Sequence, residues 1–394
     1  MAEPDPPEPG DRGLDEIGRI IAAAVEGDGI PGVVAAAGRG SSTLGTWAAG
    51  LADTTPGAER AMATGTVFDL ASLTKVVSTT TVVLALAAAG EFRLDDPAGR
   101  YLPSFTALRE AGVTIRQLLA HTSGLPSTVK FYERCASRKE LLDRLFVTPL
   151  QVPPGTRVAY SDLGFMALGE MVSSVAGEPL DAVFRRVVSE PLGLAETGFL
   201  PAGPPSRFAA TEFRDDGTPW TGVVHDENAR VMDGVAGHAG LFSTAADLAR
   251  FAAWWVSSGD VDVDVVPVAS RREAESCQTP GLEGDGGMRG RRGLGWVKPG
   301  DRFDILAGAW PSSAVSHTGF TGASVALDSA SGAWLVVATN RVHASRDPAA
   351  IRAFRHALHT AAAQALLPAL PAHPRKKWPR RAGPAPASTS PTQP

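Results

Sequence analysis

The order of helix and strand patterns along the chain restricts its fold more than any other feature. A helical pattern over 14–25 and strand patterns over 31–37 and 43–51 begin the chain. Helical patterns fill the middle, and three short strand patterns followed by a helix up to about Leu366 end it. Strands at the two ends can pair in one sheet. The order therefore predicts an α+β fold: an antiparallel β-sheet flanked by N- and C-terminal helices, with an inserted mainly helical region.

The same order predicts one folded domain over residues 14–366. Its α/β lobe comprises about 14–70 and 290–366, and its helical lobe comprises about 71–289. With 44% hydrophobic and 20% charged residues, the composition is that of an ordinary globular protein. Residues 280–293 are rich in glycine and arginine and are predicted to form a loose loop.

Both ends of the chain have the composition of disordered segments. Residues 1–13 are acidic and rich in proline, and residues 367–394 form a Pro-rich tail that carries several lysines and arginines. A solvated tail is the main interpretation. Weak binding of the tail to an acidic surface is the alternative.

Net charge and cysteine content exclude several classes of protein. A net charge of −5 does not indicate a nucleic-acid-binding surface, so we expect no nucleic-acid partner. Cys135 and Cys277 are the only cysteines, which excludes a disulfide framework or a Cys-rich metal site and fits a reducing compartment.

We expect neither a signal peptide nor a membrane-spanning segment in this chain. Residues 1–9 are acidic and Pro-rich, without the basic start and apolar core of an export signal. The longest apolar stretch, 76–89, is interrupted by four hydroxyl side chains and is too short to cross a bilayer. We therefore expect a cytoplasmic protein without stable membrane insertion, unless a misplaced start site hides an export signal.

The tetrapeptide Ser72-Leu73-Thr74-Lys75 indicates covalent catalysis. Three residues apart on a helix, the hydroxyl and the amine lie on the same face. A serine hydroxyl is a weak nucleophile until a neighbouring base or cation activates it. A second copy of the pattern, Ser127-Thr128-Val129-Lys130, falls in a predicted loop, where this argument fails, so Ser127 is predicted to lie on the surface.

The residues that follow Lys75 are ambiguous between strand and helix. The run 76–83 is rich in β-branched residues, which favours a strand, whereas 84–89 favours a helix. We predict a helix, because the pairing of Ser72 with Lys75 requires one.

Two further motifs accompany this tetrapeptide. Of the three tyrosines, only Tyr160 has a short polar acceptor two residues on, in Tyr160-Ser161-Asp162. His317-Thr318-Gly319 lies beside a predicted strand, and related triplets occur with Ser-x-x-Lys in penicillin-recognising enzymes.

Through these motifs the chain resembles the serine β-lactamase-like superfamily, on the branch of class C β-lactamases, D-alanyl-D-alanine carboxypeptidases and related esterases. The resemblance covers about Leu14 to Leu366 and implies the β-lactamase/transpeptidase-like fold. Five stretches carry it: 68–75, 114–126, 160–164, 237–244 and 317–319.

The resemblance implies a role for each motif. Ser72 would attack a carbonyl and form an acyl-enzyme, with Lys75 within hydrogen-bond reach and Tyr160 as the proton carrier. The backbone N–H groups of Ser72 and Phe320 would form the oxyanion hole. Gly319 would let its strand approach the substrate closely, because glycine has no side chain.

The resemblance implies four substrate-binding residues: Asp162, His317, Thr318 and Gly319. Two of them, Asp162 and His317, depart from the family pattern. Asp162 replaces the usual asparagine, and an ionised carboxylate there would stabilise the ammonium form of Lys75. We therefore favour Tyr160 as the base, with Lys75 as a cation that lowers the pKa of the tyrosine. His317 replaces lysine and would hold a substrate carboxylate only when protonated.

The sequence thus predicts a serine hydrolase that cleaves an ester or amide bond in a small molecule or peptide, with weak β-lactamase activity. One alternative is a D-alanyl-D-alanine carboxypeptidase acting on peptidoglycan peptides, against which the lack of an export signal counts. Another is a non-catalytic protein that binds peptides or muropeptides. We expect no cofactor and no metal, and the oligomeric state stays open.

Three histidine-containing segments are predicted to be structural. His225-Asp226-Glu227 is a poor metal site, because adjacent residues on a strand point to opposite faces. His238 lies next to glycine and is predicted to be a turn residue, and His121 is predicted to support a helix end.

Overall fold

A computed structural model of the chain describes residues 9–27, 29–259 and 264–367. Most of the segments predicted to be disordered, residues 1–8 and 368–394, lie outside the described residues. The first helix begins at Pro9, five residues before the predicted start at Leu14.

The described residues form eleven α-helices, which we number in chain order. They are α1 Pro9–Gly27, α2 Thr81–Ala88, α3 Thr106–Glu110, α4 Ile115–Leu119, α5 Arg138–Phe146, α6 Asp162–Ala176, α7 Leu180–Phe184, α8 Glu227–Val231, α9 Ala245–Val256, α10 Val268–Glu275 and α11 Ala349–Leu366.

Nine strands occur in the same part of the chain. They are β1 Gly32–Arg39, β2 Ser42–Asp53, β3 Arg60–Ala61, β4 Phe68–Asp69, β5 Gly198–Phe199, β6 Leu241–Ser243, β7 Val315–Thr318, β8 Ser324–Asp328 and β9 Ala333–Thr339.

Six strands form one antiparallel sheet in the order β3-β2-β1-β9-β8-β7. The first long strand pairs with the last, so that Val34 lies opposite Ala338 at the centre of the sheet. The predicted α+β fold, with the two chain ends joined in one antiparallel sheet and a mainly helical region between them, is therefore confirmed.

Both faces of this sheet are covered by helices. Val33 and Ala35 of β1 pack on the outer face with α1 and α11, whereas Val34 and Ala36 point to the inner face. Side chains alternate between the two faces of a strand. The sequence of a strand that is buried on both faces is therefore a continuous run of apolar residues. This explains why β1 and β9 are almost wholly apolar.

Helix α9 covers the inner face of the sheet, where it packs on β1, β8 and β9. Its Trp255 is fully buried against Trp296, with ring centroids 5.0 Å apart. The predicted helical lobe includes this helix, yet its packing joins it to the sheet, because the apolar inner face needs a cover.

A second sheet of three short strands, in the order β4-β6-β5, escaped the sequence analysis. It pairs Asp69 with Phe242, and so fixes the 237–244 segment beside the strand that precedes Ser72. Strands of two or three residues have no recognisable hydrophobic period, so local patterns do not show them.

The ambiguous segment after residue 75 is helical, as predicted. A π-helical turn over Lys75–Thr80 continues into α2. The stretch Ala71–Ala88 has the length and composition of a membrane-crossing helix, but 83% of it is buried inside the protein. Its apolar character is thus accounted for by its place in the core.

The buried His359 on α11 makes stability depend on pH. Burial, and then the Arg355 guanidinium, lower the pKa of His359 to about 3, from the ordinary value of 6.5. As the pH falls below 6.5, the unfolded chain therefore binds a proton that the folded chain does not. At about pH 5.5 this lowers the free energy of unfolding by about 1.4 kcal/mol relative to neutral pH.

We therefore expect that His359→Gln reduces the loss of unfolding free energy between about pH 7.5 and pH 5.5 by about 1.4 kcal/mol in urea titrations. His356→Gln, on the exposed face of the same helix, should leave that loss unchanged. An equal pH dependence in both variants would contradict the prediction.

Candidate active site

Ser72 lies at the start of the helix that follows β4. It belongs to a 3₁₀ turn, Ala71–Leu73, and its side chain is half-buried. The buried Asp69 carboxylate fixes this turn, because it accepts hydrogen bonds from the N–H groups of Ala71 at 2.7 Å and of His225 at 2.6 Å. Ala71 has a φ of 45°, which is strained for a residue with a Cβ. The residue before Ser72 is thus held in a conformation that the local sequence alone would not adopt.

Lys75 lies one turn further on and contacts Ser72 directly. Its Nζ donates to Ser72 Oγ at 2.9 Å and to the carbonyl of His238 at 3.1 Å, and it forms an ion pair with Asp162 at 2.8 Å. Burial lowers the pKa of Lys75, but the charges and hydrogen bonds of Asp162 and Tyr160 outweigh this, and the net pKa is raised above its ordinary value. Lys75 is therefore an ammonium ion.

Tyr160 reaches the same ammonium from the segment that leads into α6. Its ring centroid lies 4.9 Å from Lys75 Nζ. The ring packs on His121 at a centroid distance of 4.7 Å, and His121 Nδ1 accepts the backbone N–H of Ser161 at 3.0 Å. His121 therefore orients the tyrosine, in agreement with its predicted structural role.

The turn after β7 closes the site on a third side. A Cβ on Gly319 would lie 2.3 Å from the carbonyl oxygen of Leu70, closer than any real contact. Thr321 Oγ1 donates to the carbonyl of Asp69 at 2.7 Å. The turn that carries Phe320 thus rests directly on the segment that precedes Ser72, and the absence of a side chain at residue 319 is what permits this contact.

Replacement of Gly319 by alanine should separate these two segments. Overpacking of this kind typically costs about 1–3 kcal/mol of stability, and it would displace the turn from the segment that precedes Ser72. Gly65→Ala is the matched control, because nothing lies within 4 Å of a Cβ there. Thermal unfolding measures the effect, and a Gly319→Ala variant as stable as the parent protein would refute the close contact.

His317 is buried and electrically neutral. Burial lowers the pKa of its imidazole well below the ordinary value, and the nearby Lys75 and Arg292 cations lower it further. Nδ1 lies 3.0 Å from the carbonyl of Thr318, and because a carbonyl can only accept, the proton is on Nδ1. Nε2 is then an acceptor, and it is buried without a partner in the described structure. The site thus presents a neutral acceptor where lysine would present a cation.

A pair of residues behind Lys75 was not foreseen from the sequence. His238 Nε2 lies 2.9 Å from Asp226, while the carbonyl of His238 accepts from Lys75. The neighbouring carbonyl of Gly237 accepts from Thr79 Oγ1 at 2.6 Å. His238 was predicted to be only a turn residue, yet its backbone contributes to the cage around the ammonium. Every residue has a backbone carbonyl, so the sequence does not show which carbonyl will accept a hydrogen bond.

The His225-Asp226-Glu227 segment divides among different partners. His225 contacts Glu212 at 3.1 Å, Asp226 contacts His238, and Glu227 forms an ion pair with Arg346 at 2.8 Å. Among the described residues, no group of three or more His, Cys, Asp or Glu side chains is placed to hold a metal ion.

The predicted site residues therefore meet in one place. Lys75 contacts Ser72, Asp162 and Tyr160, and the 317–320 segment packs on the residues that precede Ser72. Ser127 of the second Ser-x-x-Lys copy is exposed, and its carbonyl accepts the N–H of Asp162 at 2.8 Å.

A family model described as Beta-lactamase matches residues 17–359, which is most of the chain. The chain belongs to the beta-lactamase family. The resemblance inferred from the motifs is thereby confirmed, and membership of this family supports a serine hydrolase of the β-lactamase fold.

Two curated relatives of the family are 32% identical to this chain over 316 residues. One, from Escherichia coli (strain K12), carries the name "Putative D-alanyl-D-alanine carboxypeptidase", and the match covers 71% of this chain and 70% of the relative. The other, from Bacillus subtilis (strain 168), is named N-acetylmuramyl-L-alanine amidase, with 72% and 69% covered.

Two solved structures share the fold at lower identity. EstCE1, titled a hydrolase with promiscuous acyltransferase activity, superposes with a TM-score of 0.69 at 24% identity, over 88% of this chain and 99% of its own. The octameric penicillin-binding protein homologue from Pyrococcus abyssi gives a TM-score of 0.65 at 18% identity, over 83% and 73%.

Proposed function

We propose that this protein is a serine hydrolase that cleaves an ester or amide bond through an acyl-enzyme on Ser72, with weak β-lactamase activity. The contact between Lys75 Nζ and Ser72 Oγ, at 2.9 Å, carries the proposal. Lys75 is fully buried, and Asp162 holds it as a cation. A cation fixed beside a half-buried hydroxyl stabilises the alkoxide that forms as the serine attacks.

Acylation begins with attack of Ser72 Oγ on the substrate carbonyl carbon. Tyr160, acting as the general base beside the Lys75 ammonium, accepts the hydroxyl proton as the oxygen–carbon bond forms. The backbone N–H groups of Ser72 and Phe320 bind the oxyanion, and one such donor contributes about 3 kcal/mol. Tyr160 then gives the proton to the leaving alcohol or amine as its bond to the carbonyl carbon breaks.

Deacylation runs through the same groups in reverse. Water attacks the acyl carbon and passes its proton to Tyr160, and the bond to Ser72 Oγ breaks as that oxygen recovers a proton from Tyr160. The carboxylic acid leaves, and the enzyme is restored without a cofactor.

The state of His317 supports an ester or amide substrate over one with a free carboxylate. Its neutral imidazole offers an acceptor and no positive charge, so His317 itself would not pair with a substrate carboxylate. Together with Thr318, Gly319 and Asp162, His317 would bind the uncharged polar groups around the scissile bond.

A second candidate is D-alanyl-D-alanine carboxypeptidase activity on peptidoglycan peptides. The name of the 32% identical Escherichia coli relative favours it. Its substrate ends in a carboxylate, which neutral His317 would not pair, and this makes it the less favoured proposal.

A fluorophosphonate probe followed by peptide mass spectrometry should label Ser72. The same preparation should then be assayed with p-nitrophenyl butyrate, an acyl-D-alanyl-D-alanine peptide and nitrocefin. We expect kcat/KM for the ester to exceed that for nitrocefin by about 100-fold or more. A larger kcat/KM for the peptide would favour the carboxypeptidase, efficient nitrocefin turnover would indicate a β-lactamase, and no labelling would indicate a binding protein.

A further inference from the structure

We propose that two phenylalanines divide the recognition of the substrate between them. Phe303 contacts the leaving group and Phe320 contacts the acyl group, so the substrate carries an apolar group on each side of the scissile bond. This inference rests on the proposed function, because it uses the roles of Tyr160 and of the oxyanion hole to assign the two sides.

Phe303 and Phe320 are unusually exposed for large apolar side chains in this fold. Their relative exposures are 39% and 45%. A single exposed phenylalanine needs no explanation in a soluble protein. Here one packs on the proposed proton carrier and the other follows Gly319 directly, so that both lie at the catalytic crevice.

Phe303 belongs to the leaving-group side. Its ring centroid lies 5.4 Å from that of Tyr160. Tyr160 delivers its proton to the departing alcohol or amine, so the leaving group must lie beside the phenol oxygen. A side chain that packs on this tyrosine therefore contacts the leaving group and not the acyl chain.

A buried ion pair holds Phe303 in place. Asp301 accepts the backbone N–H of Phe303 at 2.9 Å and pairs with Arg292 at 2.9 Å, with both charged side chains 2% exposed. The Arg292 guanidinium lies 5.2 Å from the Phe303 ring and 5.6 Å from the Tyr160 ring. The Phe303 side chain is thus held in one position. Substrate binding therefore loses less conformational entropy there than it would at a mobile side chain.

Phe320 belongs to the acyl side. Its backbone N–H is the proposed oxyanion donor, so this residue stands next to the carbonyl oxygen of the acyl group. Arg341 Nε fixes its carbonyl at 2.8 Å, and its ring stacks on His225 with an interplanar angle of 22° and a centroid distance of 5.6 Å. The exposed part of the ring is therefore available to an apolar acyl chain.

A guanidinium group lies over each phenylalanine ring. Arg302 lies 5.5 Å from the centroid of the Phe303 ring, and Arg341 lies 4.6 Å from that of Phe320. The exposed remainder of each ring is apolar, so an apolar group on the substrate loses little by leaving water there.

Two ester series separate the sides. In the first, the p-nitrophenyl leaving group is constant and the acyl group is acetyl or phenylacetyl. In the second, the acetyl group is constant and the leaving group is ethanol or 2-naphthol. In each series, kcat/KM for the ester with the larger apolar group is divided by kcat/KM for the ester with the smaller group. This ratio is measured for the parent enzyme, Phe303→Ala and Phe320→Ala.

Phe303→Ala should lower the ratio in the leaving-group series by about tenfold and leave the acyl series within about twofold, and Phe320→Ala should do the reverse. Phe213→Ala is the matched control. Phe213 is also an exposed phenylalanine, at 42%, but its ring stacks on His343. It should leave both ratios unchanged.

Equal losses in both series for either variant, or losses on the opposite side, would overturn the assignment while leaving the proposed function intact. A parent enzyme that is not labelled at Ser72 and hydrolyses no ester would overturn both. Thermal unfolding of each variant separates a loss of contact from a loss of fold.

Discussion

Replacement of Ser72 by alanine should abolish both fluorophosphonate labelling and ester hydrolysis. The hydroxyl is the only group that forms a bond to the substrate in the proposed reaction, so kcat should fall by about 10⁴-fold or more. The half-buried side chain loses one hydrogen bond from Lys75, and the melting temperature should change little. Intact-protein mass spectrometry and p-nitrophenyl butyrate hydrolysis measure the two losses.

The second Ser-x-x-Lys copy provides the control for this experiment. Ser127→Ala removes an exposed hydroxyl and keeps the carbonyl that accepts the N–H of Asp162. It should retain labelling and most of the activity. Labelling of the Ser72→Ala protein at another serine would place the nucleophile elsewhere and reject the proposed mechanism.

Replacement of Tyr160 by phenylalanine should lower kcat by about 1,000-fold, because general acid–base groups contribute about 10²–10⁴-fold. The ring contact with His121 survives this change, so the fold and substrate binding should be largely kept. The loss should therefore appear in kcat more than in KM, and it should be larger for alkyl esters than for p-nitrophenyl esters, whose leaving groups need no proton.

Tyr101→Phe is the control for this variant. It removes a phenol hydroxyl that donates to Asp96 at 2.8 Å. Neither residue belongs to the catalytic motifs, so activity should be unchanged. A Tyr160→Phe enzyme with parental kcat on alkyl esters would show that Lys75 or another group carries the proton.

Much of the architecture follows from local patterns. The antiparallel sheet with terminal helices was predicted from the apolar runs of β1 and β9 and from the helical period of α11. These patterns can be recognised locally, because a buried strand or helix repeats its apolar residues with a fixed period. The short strands β4, β5 and β6 and the placement of α9 did not follow, since they depend on which distant surface each segment covers.

The predicted loose loop over 280–293 shows the same limit. Its glycines and arginines have the composition of a mobile surface, but Arg292 is buried and pairs with Asp301 beside Tyr160. A buried arginine is stable only when a carboxylate or another acceptor pairs with it. Which residue does so depends on the tertiary structure. Phe303, which this pair holds in place, could not be assigned to the crevice from its neighbours in sequence.

The three motifs predicted the chemistry from the sequence alone. A serine one turn before a lysine, a tyrosine and a strand-end glycine can be recognised there because each motif is local. The tertiary structure alone decided the charge states. Burial and two neighbouring cations keep His317 neutral, whereas Asp162 and Tyr160 keep Lys75 charged. The pKa of a side chain depends on its depth in the protein and on charges that come from distant parts of the chain, and no spacing of residues encodes either of these.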